Sequence, residues 1–162
     1  MLEIYEKTVQ QTNPRVDEII SLDHLLREKG RFKIRAESGC EVRVFLERGQ
    51  LLSEGQYLLS RCGKIVQVTY AEEPIVRATA ADNDWKNFVR VCYHLGNRHV
   101  RLQIGDCWLQ MTHDHVLEEM IKSFGLSVEH CNAVFIPEAG AYTQGHSHRH
   151  DHSHETEHQH EH

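Results

Sequence analysis

A chain of 162 residues with a formal charge of −6 has room for one ordinary domain or two small ones. The acidic balance argues against a nucleic-acid binder, whose affinity would rest on phosphate neutralisation, and it suits attraction of cations. No apolar run reaches membrane-spanning length and no basic-then-apolar leader occupies Met1 to Gln10, so the expectation is a cytoplasmic protein with no membrane contact. Cys40, Cys62, Cys92, Cys107 and Cys131 are an odd set of separated thiols without a CxxC pair. Structural disulfides are not expected, and most of these residues should be small core hydrophobes.

The first half reads as strands. Arg31 to Ala36 alternates charged and apolar residues, and Glu41-Val42-Arg43-Val44 repeats the pattern after Ser38-Gly39. Gln56 to Leu59 and Lys64 to Tyr70 are further short segments bounded by Gly55 and Gly63. This predicts a small all-β domain over residues 1–73, an antiparallel barrel or sandwich, with one or two helical turns between Asp23 and Lys29. No metal ligands concentrate here, so docking of partners or holding of orientation is its expected work.

Pro74 interrupts the pattern, Ile75 to Ala80 reads as a strand, and the period then changes. Trp85, Phe88, Val89 and Cys92 fall on one helical stripe, with Asp82 or Asn83 as cap and Gly96 as stop. Val100, Leu102 and Ile104 alternate with polar residues, Gly105-Asp106 offers a turn, and Cys107, Leu109 and Met111 line the next strand. A second helix follows, with Thr112 as its expected cap and Leu117, Met120, Ile121 and Phe124 on its buried side. Gly125 stops it, and Leu126 and Val128 open a last strand. Strand, helix, strand, strand, helix, strand predicts a ferredoxin-like βαββαβ domain over residues 74–142 and an α+β chain. Its naked sheet face and open edges suggest pairing with a second copy.

Residues 143–162 are the histidine-rich end. His146, His148, His150, His152, His154, His158, His160 and His162 are spaced among Asp151, Glu155, Glu157 and Glu161, unlike the uninterrupted run of a purification tag. So few apolar residues cannot offset the ordering entropy, which predicts a disordered collector of Ni²⁺, Zn²⁺ or Cu²⁺. Elsewhere, His24 reads as a surface residue, His94 as a helix C-terminal cap, and His130 as a partly exposed strand residue first and a metal ligand near the tail second. His99 caps or faces solvent unless a two-fold axis beside it brings two imidazoles to one ion. His113 and His115 flank Asp114 at a helix start. They diverge once the helix is regular, yet could converge at the first turn, with Asp114 capping or orienting an imidazole. Neither a GxxxxGKS/T loop nor HExxH is present, and catalysis has little support.

The run Cys92-Tyr93-His94-Leu95-Gly96-Asn97-Arg98-His99-Val100, followed by Leu102-Gln103-Ile104, resembles the signature of the UreE family of nickel-binding urease accessory proteins. His113-Asp114-His115-Val116-Leu117 and Pro137-Glu138-Ala139-Gly140-Ala141-Tyr142 match further family blocks, and Phe45-Leu46-Glu47-Arg48-Gly49 and Glu72-Glu73-Pro74 match its first half. The resemblance implies a cytoplasmic homodimer that is not an enzyme. It would deliver Ni²⁺ to the urease apoprotein–accessory complex together with an accessory GTPase. It also implies an interface metal ligand at His99, peripheral metal ligands at His113 and His115, and a tail that tunes capacity. Arg101 and Glu47 stand where many relatives carry proline, which bears on local loop shape. Imidazole-rich sites also take Zn²⁺ and favour Cu²⁺, so nickel preference is implied by the resemblance rather than by ligand chemistry. The rival readings are a cytosolic nickel, zinc or copper buffer without a delivery role, and a metal-dependent hydrolase.

Overall fold

The computed structural model describes residues 1–8 and 14–139. The eight tail histidines, from His146 to His162, lie outside the described residues.

Six strands form the first sheet: β1 (Leu2–Lys7), β2 (Glu18–Leu22), β3 (Arg31–Arg35), β4 (Glu41–Phe45), β5 (Tyr57–Ser60) and β6 (Ile65–Tyr70), with the short helix α1 (His24–Arg27) after β2. Their order is β2-β6-β5-β1-β4-β3. Alternation turns Leu2, Ile4, Ile20, Leu22, Val42, Val44, Leu58, Val66 and Val68 into one core. The sheet is mixed rather than purely antiparallel, because β1 runs parallel to β4 and β2 parallel to β6. Those two strands are the ones the sequence pattern does not announce.

The second sheet has the order β10-β7-β9-β8, every pair antiparallel, built from β7 (Glu72–Ala80), β8 (Gln103–Gly105), β9 (Trp108–Thr112) and β10 (Leu126–Val134). Read along the sheet, these are the fourth, first, third and second strands of a βαββαβ unit, the ferredoxin-like arrangement expected. Helices α2 (Trp85–Gly96) and α3 (His115–Ser123) pack with Val76, Ala78, Leu109 and Met111 in its core. The opposite face is partly covered. Residues after β10 cross to β8, where Ile136 N donates to Gln103 Oε1 at 2.8 Å and Glu138 N to the Leu102 carbonyl. Among the described residues no helix is long and apolar enough to cross a membrane.

Three local expectations are corrected, the buried face and the cap of α2 and the cap of α3. Helix α2 buries Phe88, Val91 and Leu95, and its N-cap is Asp84, which accepts from Asn87 N. Trp85, Val89 and Tyr93 instead form a second apolar stripe that is 50%, 56% and 65% exposed. The cap of α3 is Asp114 rather than Thr112.

The two cores meet at a polar junction, and there His24 is buried rather than on the surface. Its Nδ1 lies 2.6 Å from Glu73 Oε2, and its ring meets Phe135 edge-on at 4.9 Å. Arg27, also buried, lies 4.0 Å over the Tyr70 ring and donates from Nη2 to the Phe135 carbonyl. A buried charged donor of this kind stabilises by about 1.5–3 kcal/mol. Arg27→Ala is expected to lower stability in urea unfolding by about 2–3 kcal/mol. A loss below about 0.5 kcal/mol, the size of an ordinary surface substitution, would remove Arg27 as the tie between the two halves.

Candidate metal centre

Strand β9 ends at Thr112, and Asp114 adopts extended geometry (φ −152°) before α3 begins. The Asp114 carboxylate accepts from Val116 N and Leu117 N at 3.0 and 3.1 Å. It is therefore committed to capping the helix, and the N-terminal donors it satisfies are the ones a helix leaves unpaired. The turn sets His113 just outside the helix and His115 as its first residue, and both are exposed.

His113 is brought close to Glu118 of the first turn of α3 and to His130 of β10. His130 sits opposite Val76 in the β7–β10 ladder and shares a face with Leu126 and Val128, so strand alternation aims it toward α3. His113 Nδ1 is 2.5 Å from Glu118 Oε1, and His130 Nε2 is 2.9 Å from Glu118 Oε2. The two imidazole rings lie 4.9 Å apart. The Glu118 side chain is 6% exposed while both imidazoles are 58% exposed, so a buried carboxylate underlies two accessible rings. The cluster opens on a cleft of about 320 Å³ lined by Pro74, Ile75, His113, His130, Cys131 and Asn132.

Burial alone would raise the Glu118 carboxyl pKa. The contacts of His130 and His113, and their charges, outweigh burial and hold it below its ordinary value. The two contacts differ in kind. His130 is hydrogen-bonded, whereas Glu118 Oε1 has no hydrogen-bond partner, so the close His113 approach is an attraction without hydrogen-bond alignment.

The ligand atoms of the three residues all lie within 4.8 Å of one another. Donors around a four-coordinate ion at about 2.1 Å stand roughly 3.4 Å apart, so side-chain adjustment on the order of an ångström would close them on a divalent cation. His115 is not part of this group. His99 stands apart from it too. It is exposed, follows α2 with positive φ (56°), and donates from its backbone N to the Gly96 carbonyl at 2.9 Å. A histidine in that left-handed conformation is disfavoured by about 1–2 kcal/mol, a strain that glycine would relieve. His94 is half-buried at the end of α2 with its ring 5.2 Å from that of Phe124.

Sequence alone gives Glu118 no ligand role and His130 only a secondary one. A signal existed: His130 continues the inward alternation of Leu126 and Val128, and Glu118 lies three residues before the buried Ile121 on one helix face. Asp114→Ala is expected to lower stability by about 1 kcal/mol through loss of the cap, with nickel affinity unchanged. A parallel fall in affinity would restore Asp114 as an orienting residue for an imidazole.

Two family models match this chain, the UreE urease accessory protein N-terminal domain over residues 3–71 and its C-terminal domain over residues 73–162. A urease accessory protein UreE of Marinomonas sp. (strain MWYL1) is 50% identical over 147 residues, covering 91% of this chain and 99% of its own. Those of Psychromonas ingrahamii and Alteromonas mediterranea are 44% and 48% identical, covering 91% and 82% of this chain and 97% and 85% of their own. Matched along nearly its whole length, the chain belongs to the UreE family of urease accessory proteins.

Proposed function

We propose that the chain is a homodimeric, cytoplasmic nickel metallochaperone that binds Ni²⁺ and delivers it to the urease apoprotein–accessory complex, working with an accessory GTPase. The observation that carries this reading is family membership along nearly the whole chain, joined to the exposed cluster of histidines and a carboxylate. An accessory role, not catalysis, is what this family assigns. In the proposed division, residues 1–73 dock partners, residues 74–142 bind metal and dimerise, and residues 143–162 collect metal.

Support for the dimer comes from α2. Trp85, Val89 and Tyr93 leave a large apolar stripe in solvent on the helix that leads into His99. Covering side chains of this size stabilises by about 1.5–3 kcal/mol each, so a second copy is a natural cover. A two-fold axis beside the end of α2 would give one ion an imidazole from each His99, with open positions for transfer. His113, His115 and the tail histidines His146, His148, His150, His152, His154, His158, His160 and His162 would supply peripheral binding. Their multivalency raises the local metal concentration without setting which ion is delivered. Zn²⁺ and Cu²⁺ would bind the same imidazoles in vitro, with Cu²⁺ favoured intrinsically. Acid weakens every such site, because protonated imidazole cannot ligate.

The test is urease activation at limiting nickel. The nickel-loaded chain should raise activity above that reached with the same total of free nickel, and His99→Ala should remove most of the gain. Equal activation with and without the chain would leave only the buffer reading.

A further inference from the structure

We infer that His113, Glu118 and His130 form a metal site complete within one subunit, with two imidazoles and one carboxylate for a borderline divalent cation. This deepens the nickel-carrier reading, on which it rests for the identity of the ion, and it changes the partners of His113 from His115 to His130 and Glu118.

Three observations carry it. The first is the donor set. Two nitrogens and one anionic oxygen suit Ni²⁺, Zn²⁺ or Cu²⁺. Mg²⁺ and Ca²⁺ would require oxygen ligands throughout, and a closed structural zinc site would require a fourth protein ligand. The second is Glu118 itself, a residue only 4% exposed whose Oε1 faces His113 without a hydrogen-bond partner. A cation held between that oxygen and the two rings coordinates the buried carboxylate and neutralises its charge. The third is support. Glu118 is fixed on the first turn of α3 and His130 within a nine-residue ladder, so two of three ligands sit on regular elements while the imidazoles remain open to the cleft. Nothing in this arrangement needs the α2 stripe or His99. A monomer would bind as well as a dimer, and coordination positions remain for water or for a group receiving the ion.

Site-resolved imidazole labelling by diethyl pyrocarbonate, read by mass spectrometry on the full chain, separates this site from the others. On titration with Ni²⁺ alone, His113 and His130 should lose reactivity together with one midpoint, and the isosteric Glu118→Gln should raise that midpoint about tenfold or more for both. His130→Gln should likewise release His113, while His115→Ala should leave both midpoints in place. Unchanged circular dichroism and unfolding midpoints in the variants exclude a folding failure as the cause. Should Glu118→Gln fail to fold, the His130→Gln and His115→Ala arms decide alone. Protection of His113 with His115 while His130 stays reactive would overturn the assignment in favour of the neighbouring pair. If His113 and His130 both stay reactive while His99 is protected, the trio fails and the carrier reading stands. If none of these histidines is protected, the carrier reading fails with it.

Discussion

The ladder between β7 and β10 fixes what everything else in the second sheet can do. Nine pairs run from Leu126 opposite Ala80 to Val134 opposite Glu72. Because side chains alternate, this register sends Leu126, Val128 and His130 to the face carrying the helices. A slip by one residue would turn His130 to the other face and bring Glu129 in, unpartnered, beneath α3. The same ladder ends at the junction. Beyond Val134, Phe135 is wholly buried, packs on His24 and receives the Arg27 guanidinium on its carbonyl. At the head of β7, Glu73 accepts from the His24 backbone N at 3.0 Å. One pairing therefore positions a metal-ligand candidate and anchors the second sheet to the first.

Much of the second sheet was legible because its periods are long and clean. The alternations at Ile75 to Ala80 and Cys107 to Met111, and the helical period around Ile121, leave few other arrangements. Helix α2 was legible as a helix but not in its orientation. It carries two apolar stripes, Trp85-Val89-Tyr93 and Phe88-Val91-Leu95, and periodicity cannot say which one the core takes. The first sheet was harder. Strands β1 and β2 contribute only Leu2 and Ile4, then Ile20 and Leu22, to the core, and their parallel partners are distant in sequence. His24 resisted reading for a related reason. Its burial depends on Glu73 and Phe135, which no local pattern connects to it.

The metal chemistry divides the same way. His99 belongs to a long sequence block and could be named without a structure. His113, Glu118 and His130 depend on a cap, a helix turn and a strand register acting together, and only His113 stands out in sequence. The two places also differ physically. His99 occupies a strained left-handed position just after the helix that carries the exposed apolar stripe. The trio is built around a buried carboxylate and needs no partner. A carrier with one shared, exposed site and one site per subunit would hold several ions while keeping the shared ion open to transfer.

The claim on which this account turns is that two copies of His99 share one ion. Native mass spectrometry of the chain ending at Tyr142, which retains every described strand and helix, reads dimer mass and bound nickel together. The account predicts that His99→Ala removes one tightly held nickel per dimer and leaves the dimer mass intact. The same tight nickel count in both forms would contradict it.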